Sequence, residues 1–319
     1  MIKPKVLVTR KIPEAGLSLL RKKCQVTINS HDRPLNRKEL LNMVKGKDAI
    51  LCLLNDKIDQ EVINANPNLK IIANYAVGYD NIDLKATGNI PVTNTPDVLT
   101  DAVADLALAL MLSASRRIVE SDKFLRTGKY KGWKPFLLLG PSFAHKTIGI
   151  LGLGRIGKAV AKRARGFDMR VVYYDAFRDS NFEIETKTEF VKLEELLKTS
   201  DYISIHVPLL PTTKHLISTK QFNMMKKTAV LVNTSRGPVI DEKALVQALK
   251  QKKIFAAGLD VFENEPLLTQ GLAKLDNVVI VPHIGSATVE ARDAMAELAA
   301  KNILAVLDGK LPLTPVKKP

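Results

Sequence analysis

The chain has 319 residues, 46% of them apolar, and a formal net charge of +15; beyond roughly 250–300 residues a single core usually splits, so two domains are expected. The Lys and Arg excess is spread over polar helix faces (Arg21, Lys22, Lys23; Lys250, Lys252, Lys253) without aromatic interleaving or a nucleic-acid reader motif, which points to a solvated basic surface that attracts anionic substrates and to no nucleic-acid partner. No stretch reaches the roughly 18 uninterrupted apolar residues of a membrane span, so no membrane partner is expected.

Met1 to Val8 carries charges through its apolar stretch and runs straight into a strand pattern, and is read as no signal peptide. From there short β-branched runs alternate with helix-length amphipathic stretches, the pattern of parallel sheets covered by helices. A first series has strands near Lys5–Arg10, Gln25–Asn29, Ala49–Leu54, Lys70–Ala76 and Pro91–Asn94, with helices at Pro13–Lys23 and Asn36–Lys45. The two cysteines, Cys24 and Cys52, have no His or Cys at ligand spacing, which argues against a disulfide framework or a metal site and fits a reducing cytoplasm. Val103, Leu106, Ala107, Leu110, Met111 and Ala114 recur at helical spacing between Asp97 and Arg117, marking one helix that packs beneath a second sheet or against a partner.

Glu120 to Lys146 shows no clear period and holds Gly128, Gly132, Trp133, Pro135, Gly140 and Pro141, so it reads as an extended excursion. The second series places strands near Thr147–Leu151, Arg170–Tyr174, Tyr202–His206, Ala229–Asn233, Ala256–Val261 and Val278–Pro282, six in all. Thr288 to Leu307 then reads as one long amphipathic helix that returns to the first domain, before a Pro/Lys tail at Leu311–Pro319. The expected split is therefore discontinuous: residues 1–97 with 287–319 around an inserted domain at 98–286.

Gly152-Leu153-Gly154-Arg155-Ile156-Gly157 follows the strand ending at Leu151 and opens a helix. A strand–GxGxxG–helix unit is the Rossmann dinucleotide fingerprint: the first glycine permits the tight turn, the second lets backbone approach a pyrophosphate, and the third allows close helix–strand packing. The next strand ends at Asp175, where a carboxylate either caps a strand end or hydrogen-bonds the ribose hydroxyls of an adenosine and repels a 2′-phosphate. NAD is the cofactor this favours, although Arg178 stands three residues on and its guanidinium could pair with a 2′-phosphate.

Ligands of open parallel sheets sit beyond the carboxyl ends of the strands. There the sequence places His206-Val207-Pro208, Thr234-Ser235-Arg236-Gly237, Asp260 with Glu263-Asn264-Glu265-Pro266, and Pro282-His283-Ile284-Gly285-Ser286. Hydride transfer to a carbonyl needs a cation that binds and polarises the substrate and an acid that protonates the new alkoxide; Arg236 suits the first role. His31, His145 and His215 lie among polar, loop-like neighbours and read as surface residues. His206 and His283 both end strands, and His283, last in the series with Arg236 and Glu265, is the expected acid. Glu265, if hydrogen-bonded to the ring, favours the imidazolium.

These motifs together resemble the D-isomer-specific 2-hydroxyacid dehydrogenase family over nearly the whole chain. The resemblance implies two doubly wound α/β domains, a Rossmann-type NAD domain inserted in a smaller flavodoxin-like substrate domain, and a homodimer. It implies that Arg236, Glu265 and His283 are the catalytic residues, that Asp260 meets the nicotinamide amide, that the Val77-Gly78 loop holds the substrate carboxylate, and that Arg155, Ile156, His206, Pro208 and Thr234 touch the cofactor beside Gly152, Gly154, Gly157 and Asp175. Gly132-Trp133-Lys134-Pro135-Phe136 and Leu139-Gly140 resemble the glyoxylate/hydroxypyruvate reductase branch. That branch implies a dimerisation excursion at about 120–146, with Trp133 lining the neighbouring subunit's substrate pocket; a local packing anchor is the competing reading of Trp133. A phosphoglycerate or D-lactate-type dehydrogenase and an NAD-responsive corepressor-like protein are the alternatives on the same scaffold.

Overall fold

The computed structural model describes residues 3–318. Met1 and Ile2, at the head of the stretch read as no signal peptide, and Pro319, the last residue of the Pro/Lys tail, lie outside the described residues. The chain divides into two units, Met1–Leu99 with Ser286–Pro319, and Thr100–Gly285.

The first unit opens with β1 (Lys5–Val8), α1 (Glu14–Lys23), β2 (Gln25–Ile28), α2 (Arg37–Met43), β3 (Ala49–Cys52), α3 (Gln60–Ala65), β4 (Ile71–Asn74) and β5 (Val92–Thr93). Its five strands lie in the order β2-β1-β3-β4-β5, all parallel, the flavodoxin-like order. β3 and β4 are buried along their whole length, as strands covered on both faces must be. Local chemistry sets the helix starts: Asn36 and Glu39 form a reciprocal capping box, and the Asp59 carboxylate caps α3.

The second unit begins with α4 (Thr100–Ser115) and α5 (Ile118–Arg126), followed by β6 (Thr147–Leu151), α6 (Arg155–Arg165), β7 (Arg170–Tyr174), α7 (Ser180–Thr186), β8 (Glu189–Phe190), α8 (Leu193–Thr199), β9 (Tyr202–Ile205), α9 (Thr219–Phe222), β10 (Val230–Asn233), α10 (Glu242–Lys250), β11 (Ala256–Leu259) and β12 (Val278–Ile280). The parallel sheet runs β12-β11-β10-β9-β6-β7-β8. The chain reverses its direction of travel between β6 and β9, and that switch point opens a crevice at the carboxyl ends of the strands. Alternate residues feed separate cores: Ile203, Ile205 and Leu231 on one face, Tyr202, Val230 and Val232 on the other. The chain then returns to the first unit through α11 (Val289–Leu307), capped by Thr288. Gly16 of α1 passes so close to α11 that a Cβ there would lie 2.4 Å from the Ala296 carbonyl oxygen.

Two expectations change. The second sheet has seven strands, because Glu189–Phe190 pairs with Val172 and Tyr173 at the outer edge; a two-residue exposed strand has no period to read. Glu120–Lys146 is not wholly extended, since α5 occupies Ile118–Arg126. That helix starts after Arg117 in the left-handed region (φ +53°) and buries no residue, so it shows no core-facing stripe. The α4 helix packs on β10, β11 and β12, and a Cβ at Gly258 would lie 2.9 Å from Leu110 Cβ.

Candidate active site

The glycine loop after β6 separates the three glycine roles. Gly152 adopts φ +95°, and a Cβ there would lie 2.8 Å from the backbone of His206 and Val207. At Gly157 it would lie 2.1 Å from the Gly152 carbonyl oxygen, so both positions are fixed by the protein's own packing. Gly154 is different: it is the N-cap of α6, exposed, with nothing within 4 Å of a Cβ. Its bare backbone faces open space at a helix N-terminus, the cradle a pyrophosphate fits and a side chain would fill. Arg155 is exposed and Ile156 half-buried in the first turn of α6. Thr234, nine-tenths buried after β10, also has a hydroxyl with no partner among the described residues.

Asp175, just past β7, accepts the Leu153 N–H at 2.7 Å and the Phe177 N–H at 3.2 Å. The carboxylate thus ties the glycine loop to the end of β7. Beside it Leu153, Gly154, Asp175 and Phe177 to Asn181 line a cavity of about 420 Å³, placed where the adenosine end of a dinucleotide belongs. Arg178 lines it too, but its guanidinium is bidentate on Glu183, with Nε 2.9 Å from Oε1 and Nη2 2.7 Å from Oε2.

On the other side of the switch point, three loops meet. A Cβ at Gly237 would lie 1.9 Å from the Phe262 carbonyl carbon, so the loop carrying Arg236 presses directly on the loop carrying Glu265. Asn233 donates to the Arg236 carbonyl at 2.9 Å, and Arg236 Nη1 donates to the Ser235 carbonyl at 2.8 Å. Glu265 accepts the Phe262 N–H through Oε1 at 3.0 Å and faces His283 Nδ1 through Oε2 at 2.9 Å. Burial pushes Glu265 up, but the His283 hydrogen bond and charge, the Phe262 N–H and the Arg236 charge outweigh it and hold the carboxyl below its usual range.

His283 has φ +53°, an uncommon conformation for a residue with a Cβ. Asp260, nearly fully buried, accepts the N–H groups of Ile284 at 2.6 Å and Gly285 at 2.8 Å and so pins the turn behind the imidazole. Burial raises Asp260, against the opposing Ile284 hydrogen bond, the His283 charge and the Gly285 hydrogen bond. His206 is a different kind of histidine: its Nε2 lies 2.8 Å from Ser204 Oγ, and burial pushes its pKa down to about 3. It is therefore a neutral ring at physiological pH and no standing proton donor, while Pro208 beyond it is exposed. His31, His145 and His215 are exposed, His215 paired with Glu263 at 2.6 Å.

In the first unit, the Val77-Gly78 loop follows β4. Three consecutive carbonyls are held by the unit's own donors: Ala76 by the Thr95 N–H at 2.9 Å, Val77 by Asn94 Nδ2 at 2.7 Å and Gly78 by Asn74 Nδ2 at 2.7 Å. These peptide bonds are trans, so each N–H, of Val77, Gly78 and Tyr79, points away from the donor that holds its own peptide's carbonyl.

The family model described as "D-isomer specific 2-hydroxyacid dehydrogenase, NAD binding domain" matches residues 108–285. The chain belongs to the D-isomer specific 2-hydroxyacid dehydrogenase family. Among curated members of this dehydrogenase family, the glyoxylate reductase of Thermofilum pendens is 54% identical, covering 100% of this chain and 96% of the relative. The glyoxylate reductase of Pyrococcus horikoshii is 50% identical over 99% of this chain and 97% of its own. A solved glyoxylate reductase from Paecilomyes thermophila superposes with a TM-score of 0.88 at 33% identity, covering 99% of each chain. The NADPH-dependent glyoxylate/hydroxypyruvate reductase of Sinorhizobium meliloti, solved with NADP and malonate, gives 0.87 at 32% identity over 99% of this chain and 97% of that one. The dehydrogenase carries the family's two parallel-sheet α/β domains, an oxidoreductase with an NAD binding domain. Among its described residues no helix is long and apolar enough to cross a membrane, and no group of three or more His, Cys, Asp or Glu could hold a metal.

Sequence reasoning missed Asp179 in the wall of the adenosine cavity and Glu183 and Lys158, the charged partners of its wall residues. Asp179 caps α7 by accepting the Phe182 N–H, a signal present in Asp179-Ser180; the Arg178–Glu183 pair crosses a helix start and has no regular spacing. Trp133 is 80% exposed, so it does not anchor the excursion within its own chain.

Proposed function

We propose that this dehydrogenase reduces small 2-oxo acids, glyoxylate and hydroxypyruvate, with NADH, and that Arg236, Glu265 and His283 are its catalytic residues. The observation that carries the reading is the Glu265–His283 hydrogen bond, in a cluster where Arg236 supplies a third, permanently cationic group. Bound NADH supplies the hydride. Arg236 binds the substrate carboxylate and polarises the carbonyl, stabilising the charge that develops on its oxygen. His283 delivers a proton from Nε2 to that oxygen, while Glu265 on Nδ1 fixes the ring and stabilises its charged form. Val77 and Gly78 lend their N–H groups to the carboxylate. Gly152, Gly154, Arg155, Ile156 and Gly157 form the cofactor loop, Gly152 and Gly157 shaping it and Gly154 meeting the pyrophosphate; Asp175 takes the ribose, and His206, Pro208, Thr234, Asp260 and His283 flank the nicotinamide end.

The division at residues 1–97 with 287–319 and 98–286 is read as substrate and NAD domains respectively. The chain is proposed to work as a homodimer in the cytoplasm. Two buried free cysteines, Cys24 and Cys52, suit a reducing compartment. The exposed Ile118, Val119, Leu125, Tyr130, Trp133 and Phe136 suit burial by a second copy. Trp133 is assigned to the partner's substrate pocket, as the reductase resemblance implies. Steady-state rates with glyoxylate, hydroxypyruvate, pyruvate and phosphohydroxypyruvate test the substrate assignment. The first two should give the highest kcat/KM; a preference for pyruvate or phosphohydroxypyruvate overturns it.

A further inference from the structure

Binding NADP in place of NAD requires a cation for a 2′-phosphate carrying nearly two negative charges at neutral pH. Of the described cations, one lines the cavity with Asp175 and another pairs with a residue of its wall, and both of these are already taken. Arg178, in the wall of the adenosine cavity, is bidentate on Glu183. Lys158 of α6 reaches Asp179 of the same cavity at 2.5 Å. The two acids belong to one element, α7: Asp179 is its N-cap and Glu183 lies in its first turn.

The Glu183 partner is also fixed from behind. The hydroxyl of Tyr173, whose ring is fully buried, donates to Glu183 Oε1 at 2.7 Å and accepts the Asp179 N–H at 2.9 Å. The Glu183 side chain is only 13% exposed, against 61% for Arg178. The Arg178 hydrogen bond holds the Glu183 carboxyl below its usual range, so the pair stays ionised at physiological pH. An arginine gripped by an anchored carboxylate cannot offer its fork to a phosphate without breaking a bidentate pair.

We infer that Glu183 and Asp179 are specificity-positioning residues: they withhold Arg178 and Lys158 from a 2′-phosphate and, together with Asp175, make the enzyme select NAD(H) over NADP(H). This rests on the NAD reading of the cavity. It also alters the expected effect of losing Asp175: removing that carboxylate alone leaves Arg178 occupied by Glu183.

The test is a binding cycle read by fluorescence titration of NADH and NADPH, with 5′-ADP and 2′,5′-ADP as substrate-free probes. Asp175→Ser, Glu183→Gln and the double variant are compared with the parent. The double variant should gain at least about tenfold more relative affinity for the 2′-phosphorylated ligands than Asp175→Ser alone. Adding Arg178→Ala to the double variant should abolish the extra gain, and Glu183→Asp, which keeps the charge, should retain NADH selectivity. An equal gain in the single and double variants, or a gain that survives Arg178→Ala, overturns the inference. A parent that binds neither NADH nor 5′-ADP overturns the NAD reading itself. Thermal melts confirm folding, and the Arg178→Ala comparison is made within one background, so a general loss of stability does not imitate the result.

Discussion

Nδ1 of His283 lies 2.9 Å from Oε2 of Glu265, and the histidine is presented from a left-handed backbone conformation pinned by Asp260. The carboxylate occupies one ring nitrogen and leaves Nε2 for substrate. Replacing His283 with Ala removes the proton donor, and kcat for 2-oxo acid reduction should fall by roughly 10²–10⁴ with the NADH dissociation constant nearly unchanged. A near-normal kcat would show that the proton comes from elsewhere; His206, neutral at physiological pH, is poorly suited to replace it.

The same pair makes a pH prediction with a definite sign. Glu265 is held below its reference value of 4.5, so its contribution to stability is present above that value and is lost as pH falls through the lower, folded-state value. Glu265→Gln should therefore cost stability at pH 6–7, and the Tm difference from the parent should shrink as pH drops below about 4.5. In activity, the variant keeps a hydrogen-bond partner for the ring but loses the carboxylate charge opposite it, and kcat for 2-oxo acid reduction should fall by at least about tenfold. An unchanged kcat, measured where chemistry limits the rate, would remove Glu265 from the acid–base assignment.

Much of the architecture was legible because parallel sheets bury both faces of their central strands. Val230-Leu231-Val232 and Ala49-Ile50-Leu51 are uninterrupted apolar runs, and the residues just past such runs are where a crevice forms. The glycine loop carried its geometry in its spacing, down to the open space over Gly154. What stayed hidden depends on contacts without a period. The α5 helix buries nothing, and β8 is two exposed residues. Arg178 reads in sequence as an available cation; only the fold shows that Glu183, itself held by the Tyr173 hydroxyl, has claimed it.

The glycine loop separates fold from ligand. Gly154→Ala adds a methyl group into open space at φ −69°, a conformation alanine adopts freely. Its Tm should stay within a few degrees of the parent while NADH affinity falls by about tenfold or more, since the methyl occupies the pyrophosphate cradle. Gly157→Ala puts a Cβ 2.1 Å from the Gly152 carbonyl oxygen, so it should lower both Tm and NADH affinity. Equal effects of the two substitutions on Tm would refute this division of roles.

The excursion makes an assembly prediction. Trp133 and Phe136 are 80% and 84% exposed in the single chain, and large apolar side chains grouped in this way mark an association surface. Light scattering should give a dimer mass for the parent. Trp133→Ser with Phe136→Ser should raise the dimer dissociation constant by at least about tenfold, each buried aromatic contributing on the order of 1–3 kcal/mol. A parent that is monomeric at micromolar concentration would contradict the homodimer assignment, and a dimer indifferent to both substitutions would place its interface elsewhere.

The last prediction concerns Asn94, whose side-chain amide hydrogen-bonds Val77. By donating to the Val77 carbonyl at 2.7 Å, it holds the Val77–Gly78 peptide so that the Gly78 N–H faces the other way. Asn74 does the same for the next peptide but is fully buried, so its loss would confuse orientation with stability. Asn94→Ala leaves the peptide free to turn its carbonyl toward the bound carboxylate, replacing an attraction with a repulsion. One hydrogen bond of this kind contributes about 1 kcal/mol, and one to a charged acceptor about 1.5–3 kcal/mol, so KM for the 2-oxo acid should rise by about tenfold. The NADH dissociation constant should not move, because no cofactor contact is assigned to this loop, and kcat at saturating substrate should change less than KM. Asn94→Asp, which keeps the shape but loses the donating amide, should behave like Asn94→Ala. A KM unchanged in both variants would mean that the Val77-Gly78 amides do not hold the substrate carboxylate.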